Sequence, residues 1–170
     1  MNNGYLLVPW LRIYTAPVFV HWSVGLFAGL CLIWAAEYGL YGGMATLCYL
    51  AIILIHEWGH AFVANRLGLR VFTVQLGFFH GLCQFQKPAD FLDEVKVAWG
   101  GVLAQFSVAA LVLLPLPLLG PDLGYYGPVA IFLGFFNLFI ACGNLWPARR
   151  LDGGRAWKIV GLFWARRRRP

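Results

Sequence analysis

Four apolar stretches, at about 17–36, 44–64, 95–114 and 126–146, dominate this chain. Each approaches the ~20 residues a helix needs to cross the hydrocarbon core of a bilayer. Within lipid, backbone N–H and C=O groups are satisfied only inside a helix or a closed barrel, so segments of this length read as helices. The expected fold is therefore an all-α polytopic membrane protein with about four transmembrane helices. Composition agrees: of 170 residues, 61% are hydrophobic and only 12% charged, which is not the profile of a soluble domain. The connecting segments are short, and the longest, 65–94, is itself rich in apolar and aromatic residues. A single membrane-embedded domain over 1–170 is expected. The residues before the first stretch lack a cationic leader, so that stretch is expected to stay in place. Cys31, Cys48, Cys83 and Cys142 form no Cys-x-x-Cys pair and read as small packing residues.

Charge orients the spans. All 13 Lys and Arg fall before the first span (Arg12), between the second and third (Arg66, Arg70, Lys87, Lys96) or after the fourth (Arg149 onward). The loops holding Glu37 and Asp122 have none. Positively charged loops stay on the cytoplasmic side, so both termini and the central loop are expected there. In a prokaryote the membrane would be the cell membrane. The basic tail 165–170, Ala-Arg-Arg-Arg-Arg-Pro, reads as a contact with anionic lipid headgroups rather than with nucleic acid, because no fold is left over to present a nucleic-acid surface. The net charge of +6 is thus a signature of topology. Pro115 and Pro117 remove amide donors and should end or kink the third span.

The second span contains His-Glu-Trp-Gly-His at 56–60. This spacing places His56 and His60 on one helical face, one turn apart, where two imidazoles can grip one metal ion. Glu57 lies about 100° around the helix; it is badly placed as a third ligand but can reach a water beside the metal and take its proton. HExxH also occurs by chance on the surfaces of soluble helices. Here the setting argues otherwise, since burying one charged group at mid-membrane depth costs about 2.5–3.5 kcal/mol on insertion scales, and three titratable groups need a compensating partner. A divalent cation, Zn2+ for this donor set, is such a partner. Counted from Met44, His56 and His60 lie about 18 and 24 Å along the helix, in its cytoplasmic half.

A third ligand should then come from the cytoplasmic end of another span. Asp152 follows the fourth span, where Pro147 breaks the helix and Gly153 and Gly154 allow a tight turn. On the residues alone it reads equally well as an Asp-Gly turn at the membrane surface. Asn137 and Asn144 are about two turns apart and share a helical face; each could simply make an interhelical hydrogen bond. His21 reads as a local hydrogen-bonding residue near the start of the first span, and His80 is assigned no role.

These residues resemble the site-2 protease family of intramembrane zinc metalloproteases, whose signature pairs HExxH in one span with Asn-x-x-Pro-x-x-x-Leu-Asp-Gly-Gly at the end of a later one. Both halves are present in order, at His56–His60 and at 144–154. The resemblance extends to His21-Trp22-Ser23 and to Gly101-Val102-Leu103-Ala104-Gln105. There are two departures: the family usually has Gly-Pro-Leu-Ala-Asn at 101–105, and a Pro is common where Arg150 stands. The resemblance implies that His56, His60 and Asp152 bind one zinc, that Glu57 is the general base, and that Asn144 helps hold the substrate. It also implies cleavage of single-span membrane proteins near the cytoplasmic face, the reaction of regulated intramembrane proteolysis.

Residues 71–76 and 82–86 favour extended structure and are separated by Gly77 and Gly81. They could form a hairpin or an amphipathic loop; the resemblance implies a hairpin that enters the membrane and offers its edge to substrate by strand addition. A metal transporter or metal sensor would use the same ligands but leaves Glu57 without a purpose. A silent scaffold leaves the whole set without one.

Overall fold

The computed structural model describes residues 4–160 apart from Phe79, His80, Pro121 and Arg150. The basic tail and its expected lipid contact lie outside the described residues, as do Arg150 and His80. The chain opens with a hairpin, β1 (Tyr5–Ile13) and β2 (Ala16–His21). β2 runs directly into α1 (Trp22–Tyr38), whose first turn is capped where the His21 ring accepts the Ser23 N–H. Gly39, at φ +60°, separates α1 from α2 (Leu40–Arg66). A second hairpin, β3 (Val71–Leu76) and β4 (Gly81–Phe85), precedes α3 (Phe91–Leu113). The last apolar run has three parts: α4 (Tyr126–Val129), a π-helical segment (Ala130–Phe136) and α5 (Asn137–Asn144). The short α6 (Gly153–Ala156) follows a turn.

The all-α expectation does not hold. The two hairpins join in a four-stranded sheet of order β1-β2-β3-β4, antiparallel within each hairpin and parallel between β2 and β3. The second hairpin occupies the segments where an extended pair is expected. The first is hidden in the sequence for two physical reasons. Its second strand is apolar and merges with α1 into one window of membrane-span length. Its turn, Tyr14-Thr15, also lacks the Gly or Asn that marks a two-residue hairpin loop; Tyr14 adopts φ +55° without them. The first helix therefore starts at Trp22, not at 17, and its 17 residues span about 25 Å.

Three helical runs, Leu40–Arg66, Phe91–Leu118 and Tyr126–Asn144, are long and apolar enough to cross a membrane. The fourth expected span, α1, sits at the lower length limit of about 17 residues. α3 begins four residues before the expected position because Asp90 caps it, accepting the Leu92 N–H at 3.0 Å, and Asp93 and Glu94 in its first turn suit the positive end of the helix dipole. It ends just before Pro115, as the proline dictates.

The sheet lies against the half of α2 that bears the two histidines. Val18 and Val74, paired across the parallel strands, are buried in one cluster with Ala61 and Ala64 of α2 and Val97 of α3. The small alanines let the sheet approach the helix closely. At the α2–α3 crossing the backbones of Gly59 and Gly100 meet directly, the close approach that small residues permit between membrane helices. The half of α2 that bears the two histidines is thus clamped between the sheet and α3.

Candidate metal centre

One turn of α2 carries His56 and His60 with their rings edge to face, 4.6 Å apart at 87°. Each ring is anchored through Nδ1. His60 Nδ1 donates to the Val97 carbonyl of α3 at 2.7 Å, and His56 Nδ1 lies 2.9 Å from Gln105 Oε1. A carbonyl only accepts, so the ring hydrogen sits on Nδ1 and Nε2 keeps a bare lone pair. The two Nε2 atoms are 3.1 Å apart. Room for the rings exists because residue 101 is glycine: a Cβ there would come within 2.6 Å of His60 Nε2 and 2.8 Å of His56 Cε1.

Asp152 completes the triangle. Its Oδ2 lies 3.0 Å from His56 Nε2 and 3.2 Å from His60 Nε2. The turn that delivers it is held at both ends. Its own carbonyl accepts the N–H of Arg155 and Ala156 at the start of α6, and Trp157 Nε1 donates to the Leu145 carbonyl at 2.6 Å. Trp157 also packs edge to face on Trp99 of α3, and Arg155 pairs with Glu94 at 3.5 Å. A carboxylate binds a metal in its ionised form.

The donor set can be tested for fit. Two nitrogen lone pairs and an anionic oxygen converge within 3.2 Å of one another. Without a cation at their centre they repel, and the low local dielectric magnifies the repulsion. One proton relieves one edge of this triangle, whereas a metal ion relieves all three. A tetrahedral zinc with bonds of about 2.0–2.1 Å would set its ligands about 3.3 Å apart, a few tenths of an ångström from the observed spacing. His56, His60 and Asp152 form the one such group among the described residues, and their N2O chemistry suits zinc.

Glu57 is buried, only 3% exposed, and lies against Gly81 of β4, where any side chain would collide with its carboxyl group. β4 is an edge strand, so the carboxylate meets a strand whose outer side has no strand partner among the described residues. Glu57, the three possible ligands and Asn144 line one cavity of about 560 Å3, whose wall also includes Leu82 of β4 and Ile140 of α5. Asn144 Nδ2 approaches His56 Nδ1 to 3.4 Å; because that nitrogen directs its hydrogen at Gln105, this is a packing contact.

His21 is not brought to this cavity. Its Nδ1 takes a hydrogen bond from Ser23 at 2.7 Å, a local role. Asn137 makes the interhelical bond expected of it, donating to the Gln105 carbonyl at 2.9 Å. Three contributors escape the motif: Gln105, Gly101 and Gly81. Gln105 is a polar amide deep in an apolar span, and it and Gly101 lie in the 101–105 stretch that carries the resemblance, while Gly81 is legible only as a break between extended segments; none of these signals shows a part in the site.

No protein-family profile matches the chain. It is 30% identical to Rip3 of Mycobacterium tuberculosis, provisionally named a zinc metalloprotease, over 94% of this chain and 44% of Rip3. A similarly named protein of Synechocystis is also 30% identical, over 71% of this chain and 33% of the relative. A zinc metalloprotease of Methanocaldococcus jannaschii is 27% identical over 64% of this chain and 31% of its own length. The chain thus spans less than half of each curated relative. Among solved structures, the site-2 protease from Methanocaldococcus jannaschii superposes with a TM-score of 0.74 at 20% identity, covering 92% of this chain and 71% of that one. The fold is shared.

Proposed function

We propose that this chain is a zinc metalloprotease of the site-2 protease type, a reading supported by its relatives named zinc metalloproteases and by the shared fold, and that it hydrolyses peptide bonds of single-span membrane proteins near the cytoplasmic face, using one zinc held by His56, His60 and Asp152. The observation that carries this reading is the convergence of three bare acceptor atoms beside a buried carboxylate in one cavity. A zinc ion, when bound, supplies Lewis acidity that polarises the scissile carbonyl and acidifies a water molecule.

The protein's own groups do the rest. Glu57 accepts the proton of the attacking water and passes it to the leaving amine. The packing against Gly81 holds its carboxylate for both transfers. A substrate helix hides its carbonyls in hydrogen bonds and must unwind locally before it can be cut. The open edge of β4 supports a place for the unwound segment, pairing by strand addition, with Asn144 holding it from the opposite wall. Only β4 of this hairpin is available, since the outer side of β3 is occupied by β2. The positions of the basic residues support an orientation with both termini and the sheet on the cytoplasmic side, four spans including α1, and a lipid-facing basic tail. Cleavage there releases a membrane-anchored fragment, the step known as regulated intramembrane proteolysis.

The test is metal analysis of purified protein beside a cleavage assay on a single-span substrate. Glu57→Gln should keep its zinc and lose cleavage by about 10²–10⁴-fold. Asp152→Asn should lose both zinc and cleavage. Cleavage surviving in Glu57→Gln would sink the mechanism, and full zinc occupancy in Asp152→Asn would remove Asp152 from the ligand set.

A further inference from the structure

We infer that Gln105 is a positioning residue for His56, fixing which ring nitrogen faces Asp152, and that Asn137 holds Gln105 in place through the α3 backbone; the inference rests on the metal centre proposed above. Gln105 is wholly buried, and its Oε1 lies 2.9 Å from His56 Nδ1. An amide oxygen only accepts, so the imidazole hydrogen is drawn to Nδ1 and the Nε2 lone pair is left for the point where His60 and Asp152 converge. His60 has a backbone carbonyl for this purpose. His56 has only a side chain, that of Gln105.

Two further observations support the assignment. Asn137, also wholly buried and the first residue after the π-helical segment, donates Nδ2 to the Gln105 carbonyl at 2.9 Å. A π-helical segment inside an apolar helix is a feature that clusters at functional sites, and here it is followed at once by the residue that grips α3 at Gln105. In addition, Gln105 Nε2 and Asn137 Oδ1 have no partner among the described residues. Apolar side chains would fill the same space without desolvating two amides, so packing alone does not account for this pair, whereas orienting a metal ligand does. Asn144 cannot substitute for Gln105, because its amide nitrogen meets His56 Nδ1 at 3.4 Å with a donor facing a donor.

The test is a competition titration for Zn2+ on the full chain in detergent, comparing wild type with Gln105→Met and Gln105→Glu. Met keeps the length and removes the acceptor, and should weaken zinc binding about 10–100-fold, the usual effect of losing a partner behind a metal-bound histidine. Glu restores the acceptor and should bring affinity back to within about threefold of wild type. A merely structural role predicts the reverse order, since a buried carboxylate is harder to accommodate than a thioether. Equal zinc affinity in wild type and Gln105→Met, or a greater loss in Gln105→Glu, would overturn the inference while leaving the metal centre intact. A wild type that binds no zinc would instead sink the metal centre, and this inference with it. Nitrogen NMR of histidine-labelled wild type gives a check that needs no variant: His56 should carry its hydrogen on Nδ1, and an Nε2–H form would overturn the assignment.

Discussion

Gly101 and Gly81 do for the site what no side chain could. A methyl group at 101 would meet His60 Nε2 at 2.6 Å, and one at 81 would meet the Glu57 carboxyl. The two substitutions therefore separate metal binding from proton transfer. Gly101→Ala should lower zinc affinity by at least about tenfold while circular dichroism shows the helices intact. Gly81→Ala should keep its zinc and lose about 10–100-fold in cleavage rate, since a displacement near 1 Å at reacting groups has that effect. A Gly81→Ala protein stripped of zinc would mean that β4 supports the ligands rather than Glu57. At this scale His56, Glu57 and His60 are legible, because their relation is contained in one turn of one helix. The demand for empty space at 81 and 101 is not, because it is set by side chains from a different element.

Among elements, the two sides of the proposed metal centre are held unequally. His56 and His60 are anchored on α3 by Gln105 and Val97, inside the helical packing. Asp152 rides on a turn tied to the helices by one indole hydrogen bond, the packing of Trp157 on Trp99 and the half-exposed Arg155–Glu94 pair, an ion pair of the kind worth little in water. Removing zinc with a chelator should accordingly raise amide exchange across 151–157 and leave 97–105 protected; uniform exchange over both would show that the turn does not depend on the ion. The strands of the second hairpin are legible as extended segments from their alternation and flanking glycines, which leave a hairpin and an amphipathic loop both open; the resemblance implies the hairpin. The first hairpin is not legible, since its strand shares an apolar run with α1. The π-helical segment is equally illegible, because Gly134 packs against Leu113 of α3 and that contact exists only once the helices have met.

For the whole molecule, the proposed orientation makes a prediction that does not depend on catalysis. A cysteine placed at Asp122 should react with a membrane-impermeant maleimide from outside intact cells, and one at Lys87 only after the membrane is opened; the opposite pattern would put the metal centre on the outer side. The sequence alone determined that the chain is built of membrane-length helices, how its charges distribute, and that two histidines and a glutamate share one turn. These follow from local length and the 3.6-residue period, which need no partner. Tertiary structure decided that β1 and β2 complete a sheet against α2, that Asp152 swings back to the histidines across 92 residues of chain, and that Gln105 stands behind His56. Those relations depend on which surfaces fit when helices, sheet and turn are packed together, and a linear pattern does not carry that information.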